Sequence, residues 1–288
     1  MSDSRFDDFF QAETRMFLLA TLRIAVSEDG PDLTSRGIFE ENDMAQAHIV
    51  AKESTIVAGL PLIPLILEFC GEKTSYILNV DEGDRVSEGA IVAILQGPAT
   101  ELLKAERVIL NYIGHLSGIA ELTSKYVAAV EETETTILDT RKTLPGLRYP
   151  EKYAVVVGGG KNHRKNLAEM LLVKDNHIDR AGSISSAIGK LRGAYDPCPP
   201  IEVECRNMEE VSEAVQCGVD RIMLDNMSAP QAVEALEVIP TEIETEISGN
   251  VSLENLKELA SLGADYISVG RLTHSAKNSD FSMRISTI

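Results

Sequence analysis

The chain has 288 residues, 44% hydrophobic and 25% charged, the composition of an ordinary globular protein with one large or two modest domains. Asp and Glu number 45 against 27 Lys and Arg, so the net charge is -18, which counts against the broad basic face of a general nucleic-acid binder. No apolar run approaches the roughly 18 residues that span a bilayer; four cysteines without CxxC spacing exclude a zinc ribbon or disulfide framework and fit a reducing cytoplasm.

The opening MSDSRFDDFF is acidic and lacks the apolar core of a signal peptide. Over 6–26, Phe9, Phe10, Met16, Leu19, Leu22 and Ile24 recur at helical spacing and predict a helix. SEDGPDLTSRGIF reads as a turn-rich loop. Segments 46–60 and 76–95 read as strands, the second punctuated by DEGDRVSEG, which gives a small β-meander with acidic turns. The greasy stretch 56–70 is interrupted by Pro61, Pro64 and Glu68 and reads as a buried turn and helix. From 100 to 130 the apolar spacing is helical again, with Gly114 or Gly118 as expected break points. Arg107 follows Glu106 on this helix and, taken alone, reads as part of a solvated ion pair.

From 136 the pattern changes. Short aliphatic runs at 137–138, 154–157, 170–173, 201–203, 221–224, 244–247 and 266–269 alternate with helical segments at 183–191, 208–216, 229–238 and 253–262. Such alternation predicts βα units on a parallel sheet, closed as a barrel or open and doubly wound. Most of the runs end in polar residues or glycine: Asp139, Arg141 and Lys142; Lys174, Asp175 and Asn176; Glu204; Asp225 and Asn226; Ser248, Gly249 and Asn250; Gly270. In a parallel barrel these ends share one face, where such folds place their chemistry.

Cations concentrate in the same region. Between Arg141 and Lys165 there are seven (Arg141, Lys142, Arg148, Lys152, Lys161, Arg164, Lys165) and one acid, Glu151; His163 sits among them and Lys174 follows. In an acidic chain this cluster points to a small, strongly anionic ligand, with a solvated basic loop as the plainer reading. Arg and Lys can hold carboxylates or phosphates. Glu204 and Asp225 can accept sugar hydroxyls or hold Mg²⁺ through water. Ser248-Gly249-Asn250, ahead of a helix, has the form of a phosphate cradle. Gly158-Gly159-Gly160 lacks GxGxxG spacing and reads as a flexible turn. Cys205 falls on the opposite face of its strand from Glu204 and reads as packed.

The ordered set DTRKT-x-PGLR, GGGxNHR, KDNHI, IEVE, IMLDN, SGN and YISVG-x-LTHSA, with GPATELLKAERVILNYIGHLSGIA before it, resembles the quinolinate phosphoribosyltransferase family. The resemblance covers nearly the whole chain, most strongly 96–276. It implies an N-terminal α/β sandwich (1–116), an incomplete, open α/β barrel of parallel strands (117–275), and a tail (276–288) packing back on the N-terminal domain. It implies phosphoribosyl transfer from phosphoribosyl pyrophosphate to quinolinate, with Mg²⁺, giving nicotinate mononucleotide, pyrophosphate and CO₂. By motif position, Arg107, Arg141, Lys142, His163, Arg164 and Lys174 would form the basic pocket. Glu204 and Asp225 would face ribose and metal, and Lys142, Lys174, Glu204 and Asp225 would carry the chemistry. Ser248, Gly249, Asn250 and Gly270 would hold the phosphoribosyl phosphate. A homodimer or dimer-based hexamer is implied, with Arg107 from the partner subunit. The loop SEDGPDLTS is shorter than the family's, and Arg271 stands where a small residue is common.

Other readings compete on the residues alone. An aldolase-like lyase would use Lys142 or Lys174 as a Schiff-base amine but leaves most cations unexplained. A sugar-phosphate binding protein would need the cradle but not two acids beside a dicarboxylate clamp. A related phosphoribosyltransferase of the molybdenum-associated type is a nearer alternative, against which NHR followed by KDNHI favours the quinolinate enzyme.

Overall fold

In the computed structural model, which describes residues 4–40, 43–71 and 73–287, the first expected helix is broken in two. α1 (Ser4–Phe9) and α2 (Ala12–Glu28) meet at a bend, with Ala12 at φ 41°. The break lets Phe6, Phe9 and Phe10 close around one ring, Tyr153, with centroids 5.4–5.5 Å away. α2 then buries Leu18, Leu22 and Val26, spaced four apart on one face. The turn-rich loop contains a short helix, α3 (Leu33–Ile38), whose N-cap Asp32 accepts from the Ser35 amide at 2.9 Å.

β1 (Met44–Ala51) and β2 (Thr55–Ile56) lead to α4 (Leu62–Cys70), the expected buried helix; in place of the expected meander, β3 (Ser75–Leu78) pairs directly with β5 (Ile91–Pro98), and β4 (Arg85–Val86) between them pairs with β2 in a separate two-stranded sheet. α5 (Ala99–Ala129) follows without a break. Gly114 and Gly118 are therefore not stops. A methyl group at either would overlap a main-chain carbonyl, of Ser279 at Gly114 and of Lys277 at Gly118. They are helical glycines kept for close backbone approach.

β6 (Thr136–Leu138) opens the parallel region. The run 154–157, expected as a strand, is instead the end of a helix, α6 (Arg148–Val157). Here packing overrides β propensity: Tyr153, Ala154, Val155 and Val157 are all buried, and a helix suits a segment covered on nearly every side. β7 (Leu171–Val173), α7 (Asp175–Ala181) and α8 (Ile184–Ala194) come next, followed by β8 (Ile201–Cys205) and α9 (Met208–Cys217). β9 (Arg221–Asp225), α10 (Ala229–Val238), β10 (Glu244–Ser248), α11 (Leu253–Ala260), β11 (Tyr266–Ser268), α12 (Arg271–His274) and β12 (Phe281–Thr287) complete the chain.

Two compact units result, interleaved in sequence. The first takes in Met1–Thr123, Thr143–Gly159 and Ser275–Ile288. Its main sheet is antiparallel in the order β12-β1-β5-β3, so the C-terminal strand pairs with β1. The second takes in Ser124–Lys142 and Gly160–His274. Its six-stranded parallel sheet runs β6-β11-β10-β9-β8-β7 and is not closed, the open α/β barrel expected. Where 154–157 would have supplied another strand, Lys161 alone bridges to Leu138 at the β6 edge.

Candidate active site

In the second unit the strand ends form a rim. Lys174 follows β7 and its ammonium pairs with the Glu204 carboxylate near the end of β8. Glu204 faces the same side of β8 as Glu202, with Val203 between them on the other. Asp225 closes β9, lies beside Ser248 in the ladder and accepts from the Asn226 side chain at 2.9 Å. Past β10 the chain turns through Gly249 (φ 99°) and Asn250 (φ 51°), with Asn226 (φ 54°) opposite. The Asn250 amide donates to Asn226 Oδ1 at 3.1 Å. A Cβ at Gly249 would collide with that Asn226 side chain, so only glycine permits the turn. Asn255 of α11 steadies it by donating to the Asn250 carbonyl at 3.1 Å.

Lys142 and Gly270 meet across the rim. A Cβ on Gly270 would sit 3.0 Å from Lys142 Cδ, and Thr273 Oγ1 donates to the Lys142 carbonyl at 2.8 Å. Arg164 is half-buried and donates to the Met170 carbonyl at 3.0 Å. Burial, then the neighbouring Arg141 charge, lower its pKa, while Glu202 pulls the other way. Lys142, Lys174, Arg141 and Arg164 thus belong to one unit with Glu204, Asp225 and the Ser248-Gly249-Asn250 turn. Arg107 belongs to the first unit. There it is exposed on α5 and lines a cleft of about 520 Å³ with Tyr112, His115, Leu144 and Leu147.

Beneath the rim the sheet interior is charged. Glu202 and Glu246 have no solvent exposure. Arg221 sits in register with Glu202 on one side and Glu244 on the other, and its guanidinium reaches Glu244 at 2.6 Å and Glu246 at 3.5 Å. Burial raises both inner carboxyls to about 7; Arg221 opposes this at Glu202, and the Glu202 charge adds to it at Glu246. His163 completes the group, with Nε2 2.9 Å from Glu202 and 3.7 Å from Glu246. Its amide donates to Asp139 Oδ1 at 2.9 Å, and Asn162 holds the other Asp139 oxygen at 2.6 Å. Among the described residues, only His163, Glu202 and Glu246 bring three potential metal ligands together. Glu204 and Asp225 do not form such a set.

Against known proteins, residues 32–117 match the description "Quinolinate phosphoribosyl transferase, N-terminal domain", and residues 119–284 match "Quinolinate phosphoribosyl transferase, C-terminal domain". The chain belongs to this family. It is 44% identical over 254 residues to a probable nicotinate-nucleotide pyrophosphorylase [carboxylating] of Bacillus subtilis, covering 88% of each chain. It is 38% identical to quinolinate phosphoribosyltransferase [decarboxylating] 1b of Nicotiana tabacum, over 94% of this chain and 83% of that one. A solved structure of NadC from Streptococcus pyogenes superimposes with a TM-score of 0.91 at 38% identity, covering 96% of this chain and 99% of that one.

Strand ends were the signal for most of the rim, and reading only strand ends missed the interior of this quinolinate phosphoribosyl transferase family member. Glu202 and Glu246 lie inside aliphatic runs, IEVE and ETEIS, and Arg221 opens one. A period-2 reading would have found them, because acids alternating with aliphatic residues mark a sheet with two unlike faces. Cys205 is buried, as expected, and burial pushes its thiol up to about 12.

Proposed function

We propose that the protein transfers the phosphoribosyl group of phosphoribosyl pyrophosphate to quinolinate with loss of CO₂, giving nicotinate mononucleotide and pyrophosphate. The observation that carries this reading is the rim of the parallel sheet. There four cations, two acids and a glycine-dependent turn are assembled in a member of this family. Quinolinate brings two carboxylates and the co-substrate several phosphate charges. Lys142, Lys174, Arg141 and Arg164 offer matching charge, the guanidinium groups as planar forks.

The pyridine nitrogen bonds to the anomeric ribose carbon as the carbon–oxygen bond to pyrophosphate breaks, and the electron pair leaves with pyrophosphate. Cations at the rim stabilise that leaving group, and Glu204 and Asp225 face the positive charge developing on the ribose. The Ser248-Gly249-Asn250 turn, with Gly270, holds the phosphate of the ribosyl group near the positive end of α11. Once the ring nitrogen is quaternary, the adjacent carboxylate departs as CO₂, its bonding electrons pass into the ring, and the vacated carbon takes up a proton. Glu204 is already matched by Lys174, and no third ligand joins it and Asp225 among the described residues. That arrangement suits Mg²⁺ held through its own water, the habit of this ion. When bound, the ion offsets charge on the departing pyrophosphate.

The same reading makes the protein a cytoplasmic homodimer, or a hexamer built from dimers, in which Arg107 serves the partner's rim. Its exposure on α5 leaves it available for that role. All four cysteines are free thiols, and no described helix is long and apolar enough to cross a membrane. The deciding experiment incubates the protein with quinolinate, phosphoribosyl pyrophosphate and Mg²⁺. Nicotinate mononucleotide and CO₂ should appear in equal amounts, and nicotinate should be a poor replacement for quinolinate. No product, or equal turnover with nicotinate, overturns the reading.

A further inference from the structure

The first unit holds a concentration of cations of its own. Arg23 of α2, Arg36 of α3 and Lys104 of α5 line a cleft of about 520 Å³ at the end of α4. Arg36 and Lys104 also line an adjoining cleft of about 360 Å³. The chain carries 45 acids against 27 Lys and Arg, yet none of these three cations forms an ion pair or side-chain hydrogen bond among the described residues. The Arg23 guanidinium lies over the Phe69 ring, 5.6 Å from its centroid, which steadies it on the cleft wall. The acids nearby are engaged elsewhere. Asp32 caps α3, accepting from the Ser35 amide at 2.9 Å. Glu101 accepts from the Thr74 hydroxyl at 2.7 Å and from the Lys73 amide at 3.3 Å. Among the described residues, Glu68 is the one acid on the larger cleft, whose walls therefore carry a charge of +2 (3 − 1).

Water alone accounts for Arg23 and Arg36, which are exposed, but not for Lys104, which is half-buried. With it on the smaller cleft stands Cys70, whose thiol burial pushes up to about 11, so it stays protonated and offers no charge in return. A half-buried ammonium without a counter-ion of its own is a binding group for an anion. We propose that Arg23, Arg36 and Lys104 form a second anion site, which takes the diphosphate group of free pyrophosphate or of a nucleoside diphosphate and ties α2 and α3 to α5. The donors select that chemistry. Two guanidinium forks and one ammonium come from three helices, so the anion must present oxygens in several directions. A diphosphate does so, and it carries enough charge to answer walls of +2. The cleft is roomier than free pyrophosphate requires, so a nucleoside fits beside it.

Hydrogen exchange read peptide by peptide tests this, because it separates the cleft from the strand-end rim. Inorganic pyrophosphate, added in magnesium-free buffer, should slow exchange in peptides covering 23–38, 66–71 and 99–106. The same protection should persist in a Lys142→Ala/Lys174→Ala protein, whose rim is damaged. Arg36→Gln and Lys104→Gln should each shift the pyrophosphate midpoint about tenfold upward, and the double variant should show no protection at the cleft. Its kcat/KM should stay within about twofold of wild type, since neither residue belongs to the rim. ADP in place of pyrophosphate identifies the source of the group. Tighter binding of ADP assigns the cleft to a nucleotide, and equal or weaker binding assigns it to free pyrophosphate. Absence of protection in the wild-type protein, or protection that survives in the double variant, overturns the proposal. So does equal protection by malonate at matched ionic strength, which would reduce the effect to charge screening. If the double variant does not fold, the two single variants decide, and unchanged midpoints in both refute the site. None of these readings depends on turnover, so the proposed function and this site can fail separately.

Discussion

The rim and the interior of the parallel sheet are both rich in charge, and they hold it under opposite conditions. At the rim, Lys142 is exposed, Lys174 is 41% exposed, and Arg141, Glu204 and Asp225 are half-buried, so water or a ligand can reach them. In the interior, Glu202 and Glu246 have no exposure, with His163 2.9 Å from Glu202 and Arg221 3.5 Å from Glu246. A charge at the rim can be left unmatched until substrate arrives, whereas a charge in the interior must be matched when the chain folds. The rim should therefore control turnover and the interior stability, and substitutions can test that division.

The largest effect is expected at the rim. Lys142→Ala and Lys174→Ala should each lower kcat/KM by about 10²–10³, the loss typical of a group that stabilises charge developing in the transition state. Their urea midpoints should stay close to wild type, because both cations sit at a solvent-facing edge. An unfolded Lys174→Ala protein would mean that the Lys174–Glu204 pair belongs with the interior.

The interior should respond through pH. The Glu246 carboxyl stands near 7 in the folded protein against 4.5 for the free group. The folded state thus binds this proton more tightly than the unfolded state. The stability this contributes is complete below about pH 4.5 and is lost as pH rises through about 7, by up to roughly 3 kcal/mol across that window. Glu246→Gln cannot lose the proton, so its unfolding free energy should fall less steeply than that of the wild type, the remaining slope belonging to Glu202, whose carboxyl burial also raises to about 7. Denaturation curves at about pH 5.5 and 7.5 measure the difference. Parallel slopes for the two proteins would show that Glu246 is ionised throughout.

How much of this was legible follows the same division. Rim residues stand at the ends of aliphatic runs, where side chains answer to solvent and ligand, so Lys174, Glu204 and Asp225 could be located from position alone. Interior residues answer to neighbours on other strands, and no single stretch of sequence contains those neighbours. Glu202 is explained only by His163, which is 39 positions away (202 − 163), and by Arg221 on the next strand. The helix α6 failed for a related reason. AVVV favours a strand locally, but the rings of Phe6, Phe9 and Phe10 gather around Tyr153. Gly114 and Gly118 also look like breaks until the 277–279 backbone is seen against them.

Arg107 gives a prediction of intermediate size, because it asks whether the rim is complete within one chain. A two-fold dimer offers the same surface twice, so each copy could lend its Arg107 to the other. Arg107→Ala and Lys142→Ala proteins, each nearly inactive, would then form a heterodimer with one doubly damaged site and one intact. After subunit exchange, activity within the heterodimer fraction should rise to about half that of the wild-type dimer. Verified heterodimers that stay as inactive as the parents would place the role of Arg107 within its own chain.

The smallest effect is expected just beyond the rim, at Arg271. It opens α12 immediately after Gly270, and its charge is felt at Glu254 in the first turn of α11. Glu254 has its pKa lowered first by Ser252, with Arg271 a lesser cause, so the two charges attract only weakly. Arg271 also counters the upward shift that burial gives Tyr126. It is exposed, and exposed ion pairs contribute little because water and salt screen them. Arg271→Ala should therefore raise KM for phosphoribosyl pyrophosphate only about threefold, and the difference should shrink as ionic strength rises. Glu254→Gln provides the opposite sign: with its competitor gone, Arg271 is freer to meet a phosphate, and KM should stay level or fall. If Arg271→Ala instead raises KM more than about thirtyfold, and salt does not soften the loss, Arg271 grips the phosphate directly and the rim extends one residue further than its strand ends mark.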